Sequence, residues 1–219
     1  MYHYAGNNPV KYTDPDGRDV ILLNRSWGAN FPGGPYGHNA VLIGDDKNGW
    51  MYFSKDGLST NNAIKFNTLQ DFIDYNNALD TPVKLSYDRA CRIKTKPEDD
   101  KKACDVGGKI YDRPYDIVET LNIDGTTYAQ NCADLSADII STYSDLKIKK
   151  IKISKQLGSF KIQSQVTWPN AQFFDFYFSN TNAQMIDIYD ETAVEKRTQH
   201  QEQSQREQVE QAMRDAHIY

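Results

Sequence analysis

One histidine and one cysteine hold most of the chemical promise of this chain. Its 219 residues include four histidines and three cysteines. His3 sits in a turn-rich N-terminal arm, and His200 and His217 sit in a polar C-terminal tail, so the central part has His38 alone. Chemistry that needs several imidazoles is thereby excluded. A zinc deaminase would need H-x-E with C-x-x-C, and neither is present. No H-E-x-x-H pattern occurs. A single His among scattered Cys makes a poorly specified zinc site, so no cofactor is expected. A thiol nucleophile with one base survives these exclusions. Cys132 opens NCADLSADII, whose apolar spacing predicts a helix. A thiol in the first turn meets unpaired N–H groups and the positive end of the helix dipole, which lower its pKa. The same region, Asn131 to Ala133, can bind an oxyanion. His38 comes directly after GGPYG, and Gly37 lets backbone and substrate approach the imidazole closely. Taken singly, a Cys at a helix start is more often a small buried residue. Taken together, the two residues suit a nucleophile and its general base.

The elements that must position this pair read as an α+β domain, a small antiparallel sheet packed on helices. Asp19 to Leu23 (DVILL) reads as a first strand, and His38 to Ile43 as a buried second one. The turn from Gly44 to Gly49 and the return strand Trp50 to Ser54 complete a hairpin. Helical spacing covers Asn67 to Leu79 and Asn131 to Tyr143. Val83 to Tyr87 and Cys91 to Lys94 read as extended, and Pro97 to Lys102 as a charged loop or a helix start. Lys147 to Ser154 alternates like a strand, its lysines forming a solvated face or, in a second reading, facing anionic lipid or wall polymer. The aromatic run Phe173 to Phe178 reads as core on both faces.

Two family resemblances bear on function. The segment Tyr4-Ala5-Gly6-Asn7-Asn8-Pro9-Val10-Lys11-Tyr12-Thr13-Asp14-Pro15-Asp16-Gly17 resembles the closing segment of the Rhs repeat-associated core, the shell of bacterial polymorphic toxins. In that family a variable toxin, carried as cargo, comes after this segment. The family's cleavage pattern matches at Pro9, Asp14, Pro15 and Gly17, but residue 18 is Arg where Leu is usual. The implied layout is a core tail over 1–18, a toxin domain over 19–189 and a polar, helical or disordered tail over 190–219. The second resemblance is to permuted papain-like hydrolases, the circularly permuted NlpC-type peptidases and the lecithin:retinol acyltransferase group. YGHNAVLIGDD supplies H-x-A-x-x-x-G through His38, Ala40 and Gly44, and NCADL supplies Asn131 and Cys132. This resemblance implies Cys132 as nucleophile, His38 as base and a third polar residue on the next strand. No histidine is available there, which leaves Ser54 first, Asp56 second and Tyr52 on the same strand face.

The resemblances imply an antibacterial toxin delivered into the periplasm or cytoplasm of a target cell. Its partners would be a cognate immunity protein, the Rhs shell with its secretion machinery, and a peptidoglycan, lipid or protein substrate. No nucleic-acid partner is expected, since the net charge of -5 disfavours phosphate binding. No membrane-spanning run or signal peptide is read. Two rival readings stay open: a metal-dependent nuclease using Asp45, Asp46 and Lys47, and a non-enzymatic binding module. Cys91 and Cys104, which flank a charged loop, are as well read as reduced thiols as they are as a disulfide.

Overall fold

The computed structural model describes residues 18–26, 30–31, 34–55, 62–78, 86–115, 120–121, 127–157 and 160–190. They form an α+β fold with a six-stranded antiparallel sheet and four helices. In chain order the elements are β1 (Arg18–Arg25), β2 (Asn30–Phe31), β3 (Gly34–Pro35), β4 (His38–Asp45), β5 (Gly49–Ser54), β6 (Asn62–Phe66), α1 (Leu69–Ala78), β7 (Arg89–Thr95), α2 (Pro97–Ile110), β8 (Thr120–Leu121), β9 (Thr127–Ala129), α3 (Cys132–Ile140), β10 (Lys152–Leu157), β11 (Phe160–Thr167), α4 (Pro169–Ser179) and β12 (Gln184–Ile186). The sheet runs β12-β7-β1-β4-β5-β6, and β2-β3, β8-β9 and β10-β11 form separate two-stranded pairs.

The unbroken apolar run of β1 reflects a sheet covered on both faces. Val20 and Leu22 point, with Val41, Ile43 and Phe53, into a core closed by Ala103 and Ile110 of α2, Leu135 and Ile139 of α3, and Phe173 and Phe176 of α4. Ile21 and Leu23 point the other way, with Leu42, Trp50 and Tyr52, against Leu69 and Phe72 of α1. The expected hairpin is β4–β5, in register from Ala40↔Ser54 to Asp45↔Gly49.

Two expectations are corrected. The aromatic run is core on one face only: in α4, Phe173 and Phe176 are buried, whereas Phe174 is 39 % and Phe178 77 % exposed. Helical geometry, rather than strand alternation, sorts these rings. The lysine-rich segment becomes a strand only at Lys152. Before that, amide side chains near and in α4 replace a strand neighbour. Asn180 exchanges hydrogen bonds with the main chain of Lys147 (2.9 and 2.8 Å), and Gln172 Nε2 donates to Lys149 O (3.2 Å). Lys149 and Lys150 pair with Asp175 and Asp138.

Pro97 to Lys102 proves to be the first part of α2, with Pro97 at the helix start, where its missing N–H is harmless. Cys91 of β7 and Cys104 of α2 are free thiols, both packed in the α2–α4 core. The same helix buries Asp100, whose Oδ1 accepts from Thr95 Oγ1 (2.6 Å) and Tyr143 OH (2.8 Å). Its Oδ2 has no hydrogen-bond partner, and burial pushes the carboxyl up to about 6. A raised carboxyl contributes stability below its unfolded pKa, and this contribution is lost as pH rises through about 6. Asp100→Asn is therefore expected to raise stability at pH 7 by about 1–2 kcal/mol and to flatten the pH dependence between roughly 4 and 6. Thermal melts of both chains across that range check it.

Candidate active site

His38 is the first residue of β4, and its position is set by the glycine before it. Gly37 has φ +77°, and a Cβ there would lie 2.3 Å from Asn170 Oδ1 and 2.8 Å from Arg25 O. Only glycine lets the chain turn so close to β1 and α4 before entering the strand. The role expected of Gly37 at the substrate is thus joined by a structural one.

His38 is 7 % exposed and lies opposite Arg25 of β1 in the sheet register. Its Nε2 is 3.0 Å from Ser54 Oγ, the side chain ranked first as its orienting partner. Ser54 Oγ is in turn 3.1 Å from Tyr87 OH, which is 2.8 Å from Tyr52 OH. Tyr52 therefore belongs to the site at one remove. Asp56 lies outside the described residues.

Cys132 begins α3, which packs on β4. Asn131 is its N-cap, and a capping box with Asp134 closes the helix start. Asn131 Oδ1 accepts from Asp134 N (2.9 Å), and Asn131 Nδ2 donates to Tyr36 OH (2.9 Å) and Thr167 O (3.4 Å). Asn131 thus holds the start of the Cys132 helix in place, with its side-chain amide engaged by Asp134, Tyr36 and Thr167. Asp134 is fully buried, accepts from Thr167 Oγ1 and faces Lys150.

The main-chain N–H groups of Asn39 and Ala133 lie near enough to the Cys132 sulfur to favour its ionised form. The thiol therefore meets β4 at the residue after His38, one position past the last β4–β5 pair, Ala40↔Ser54. Ala133 N–H, expected to serve an oxyanion, lies near the thiol at rest.

The expected depressed thiol pKa is overturned at rest. Cys132 is 1 % exposed, and burial pushes its pKa up to about 12, outweighing the two N–H donors and nearby Arg25. Burial, reinforced by Arg25, pushes His38 down to about 3. With the thiol pushed up and the imidazole pushed down, both groups are uncharged at neutral pH.

The carboxylates of the nuclease reading are used by the β4–β5 turn. Asp45 Oδ1 accepts from the main chain of Lys47 and Asn48 (2.7 Å each), and Asp45 Oδ2 pairs with Arg18 Nε at 3.2 Å. Asp46 Oδ1 accepts from Trp50 Nε1 (2.7 Å) and Leu69 N (2.8 Å). Among the described residues no group of three His, Cys, Asp or Glu side chains is gathered as for a metal, and no helix is long and apolar enough to cross a membrane.

Sequence reasoning missed Tyr36, Tyr87 and Thr167. Only Asp134 left a signal, three residues after Asn131, as a capping box requires. Compared with protein-family models, with curated proteins and with solved structures, the chain matches none.

Proposed function

We propose that this chain is a cysteine hydrolase or acyltransferase of permuted papain-like fold, carried as the cargo of an Rhs-type toxin. The observation that supports this best is the meeting of α3 and β4. The Cys132 sulfur lies near the main-chain N–H of Asn39, the residue after a His38 whose Nε2 is held by Ser54. In the proposed reaction the sulfur attacks a carbonyl carbon. His38 takes the thiol proton as the S–C bond forms and gives it to the leaving amine or alcohol as the substrate's C–N or C–O bond breaks, leaving a thioester. Water, or a second nucleophile in an acyltransferase, then resolves the thioester. Since both groups are neutral at rest, proton transfer accompanies attack and does not precede it. Ser54 keeps the imidazole oriented.

The substrate is an amide of a peptidoglycan stem peptide or of a protein, in preference to a lipid ester. Delivery into a target cell, the shell and its secretion machinery, and a cognate immunity protein rest on the resemblance of residues 4–17. The test is to express Cys132→Ala and His38→Ala in the cytoplasm and, with an added signal, in the periplasm. Both variants are expected to lose toxicity in whichever compartment the parent kills, and that compartment separates wall or lipid substrates from cytosolic ones. A Cys132→Ala chain as toxic as the parent would overturn the proposal. Chelator-sensitive killing by that variant would favour a nuclease.

A further inference from the structure

Four buried polar atoms stand in file: His38 Nε2, Ser54 Oγ, Tyr87 OH and Tyr52 OH, at 3.0, 3.1 and 2.8 Å. Each hydroxyl has one proton to donate, and a neutral imidazole has one protonated and one bare nitrogen. The file therefore has two senses. If the protons point inward, Ser54 donates to Nε2 and the imidazole proton sits on Nδ1. If they point outward, Nε2–H donates to Ser54, Ser54 to Tyr87 and Tyr87 to Tyr52, and Nδ1 keeps its lone pair. Only the outward sense leaves His38 a bare nitrogen with which to take a proton. Among the described residues no hydrogen bond engages Nδ1.

We infer that Tyr87, backed by Tyr52, is a positioning residue that fixes the tautomer of His38 by accepting the proton of Ser54. The inference rests on the proposed role of His38 as base. Tyr87 is held for this task. Asn76 brackets its main chain, donating to Tyr87 O (3.0 Å) and accepting from Tyr87 N (2.8 Å). Its ring lies 5.9 Å from the imidazole. Tyr52 OH, 2.8 Å away, can take the Tyr87 proton, which would leave the Tyr87 oxygen open to Ser54.

The tautomer is read directly by nitrogen NMR of histidine-labelled protein, with His38 assigned by comparison with His38→Ala. The parent is expected to show a bare Nδ1. Tyr87→Phe keeps the ring but leaves the Ser54 proton only Nε2 as partner. The bare nitrogen should then move to Nε2, and the rate on an acyl substrate should fall by roughly 10²-fold or more, as for other bases held in the wrong tautomer. In a Ser54→Ala background the link is gone, so Tyr87→Phe should no longer alter the His38 resonances; a merely structural effect would persist. A parent bare at Nε2, or a Tyr87→Phe chain still bare at Nδ1, overturns the inference. The resonances need no substrate. Toxicity that survives Cys132→Ala would therefore remove the hydrolase reading while leaving the tautomer result intact.

Discussion

Iodoacetamide is expected to alkylate Cys132 at pH 7 at least about a hundredfold more slowly than free cysteine. The thiolate is the reacting species, and a free cysteine ionises near ~8.5. A Cys132 pushed up to about 12 holds roughly a thousandth as much thiolate, and its 1 % exposure slows the reagent further. The rate should climb about tenfold per pH unit between pH 7 and 9, since each unit multiplies the thiolate by ten. Cys104, half-buried and pushed up to about 11, should label first, and Cys91, buried and about 12, should lag with Cys132. Peptide mass spectrometry over time gives the order. Labelling of Cys132 faster than free cysteine would mean that the site rests as a thiolate–imidazolium pair. The protein would then need no proton transfer at the moment of attack. Under the proposed mechanism a neutral resting thiol is activated only when a substrate carbonyl and His38 act on it together, which would spare it from side reactions with small electrophiles.

Asn131→Ala is expected to cost about 2–4 kcal/mol of stability, since it removes a helix cap and strands buried partners. The cap alone accounts for about 1 kcal/mol. The rest comes from Tyr36 OH and Thr167 O, which lose a donor in a fully buried region. Asn131→Asp separates the two parts. It keeps a cap acceptor but cannot donate to Tyr36, and it sets a second carboxylate beside buried Asp134. Denaturant melts should therefore rank the parent above both variants. A loss below about 0.5 kcal/mol for Asn131→Ala would show that the helix start does not depend on this side chain.

The sheet was legible where one physical rule acted alone. DVILL and HNAVLI are unbroken apolar runs because both faces of β1 and β4 are covered, and Gly44 to Gly49 had to be a turn. Cys132, His38 and Ser54 came from residue type, local spacing and resemblance, and the structure brings them to one region. The charge state was not legible. A helix N-terminus does lower a thiol pKa, but the burial that opposes it comes from β4 and from the packed sheet, which a local reading of NCADL does not contain. Tyr87 was hidden for a similar reason. It reaches Ser54 across 33 residues of sequence, and it is oriented by Asn76 on a helix of the same face. The lysine segment failed differently: its alternation was real, but amides of Gln172 and Asn180 satisfy its main chain in place of a strand.

The position of Thr167 ties the site to the order of synthesis. Its carbonyl accepts from both Tyr36 OH (3.1 Å) and Asn131 Nδ2 (3.4 Å), and its hydroxyl bonds to Asp134. His38, Ser54 and Cys132 all precede it, so a growing polypeptide carries the three proposed reacting groups before it carries the clamp at the start of the cysteine helix. The start of the cysteine helix can therefore gain these partners only after Thr167 has been made, although its own residues are made early.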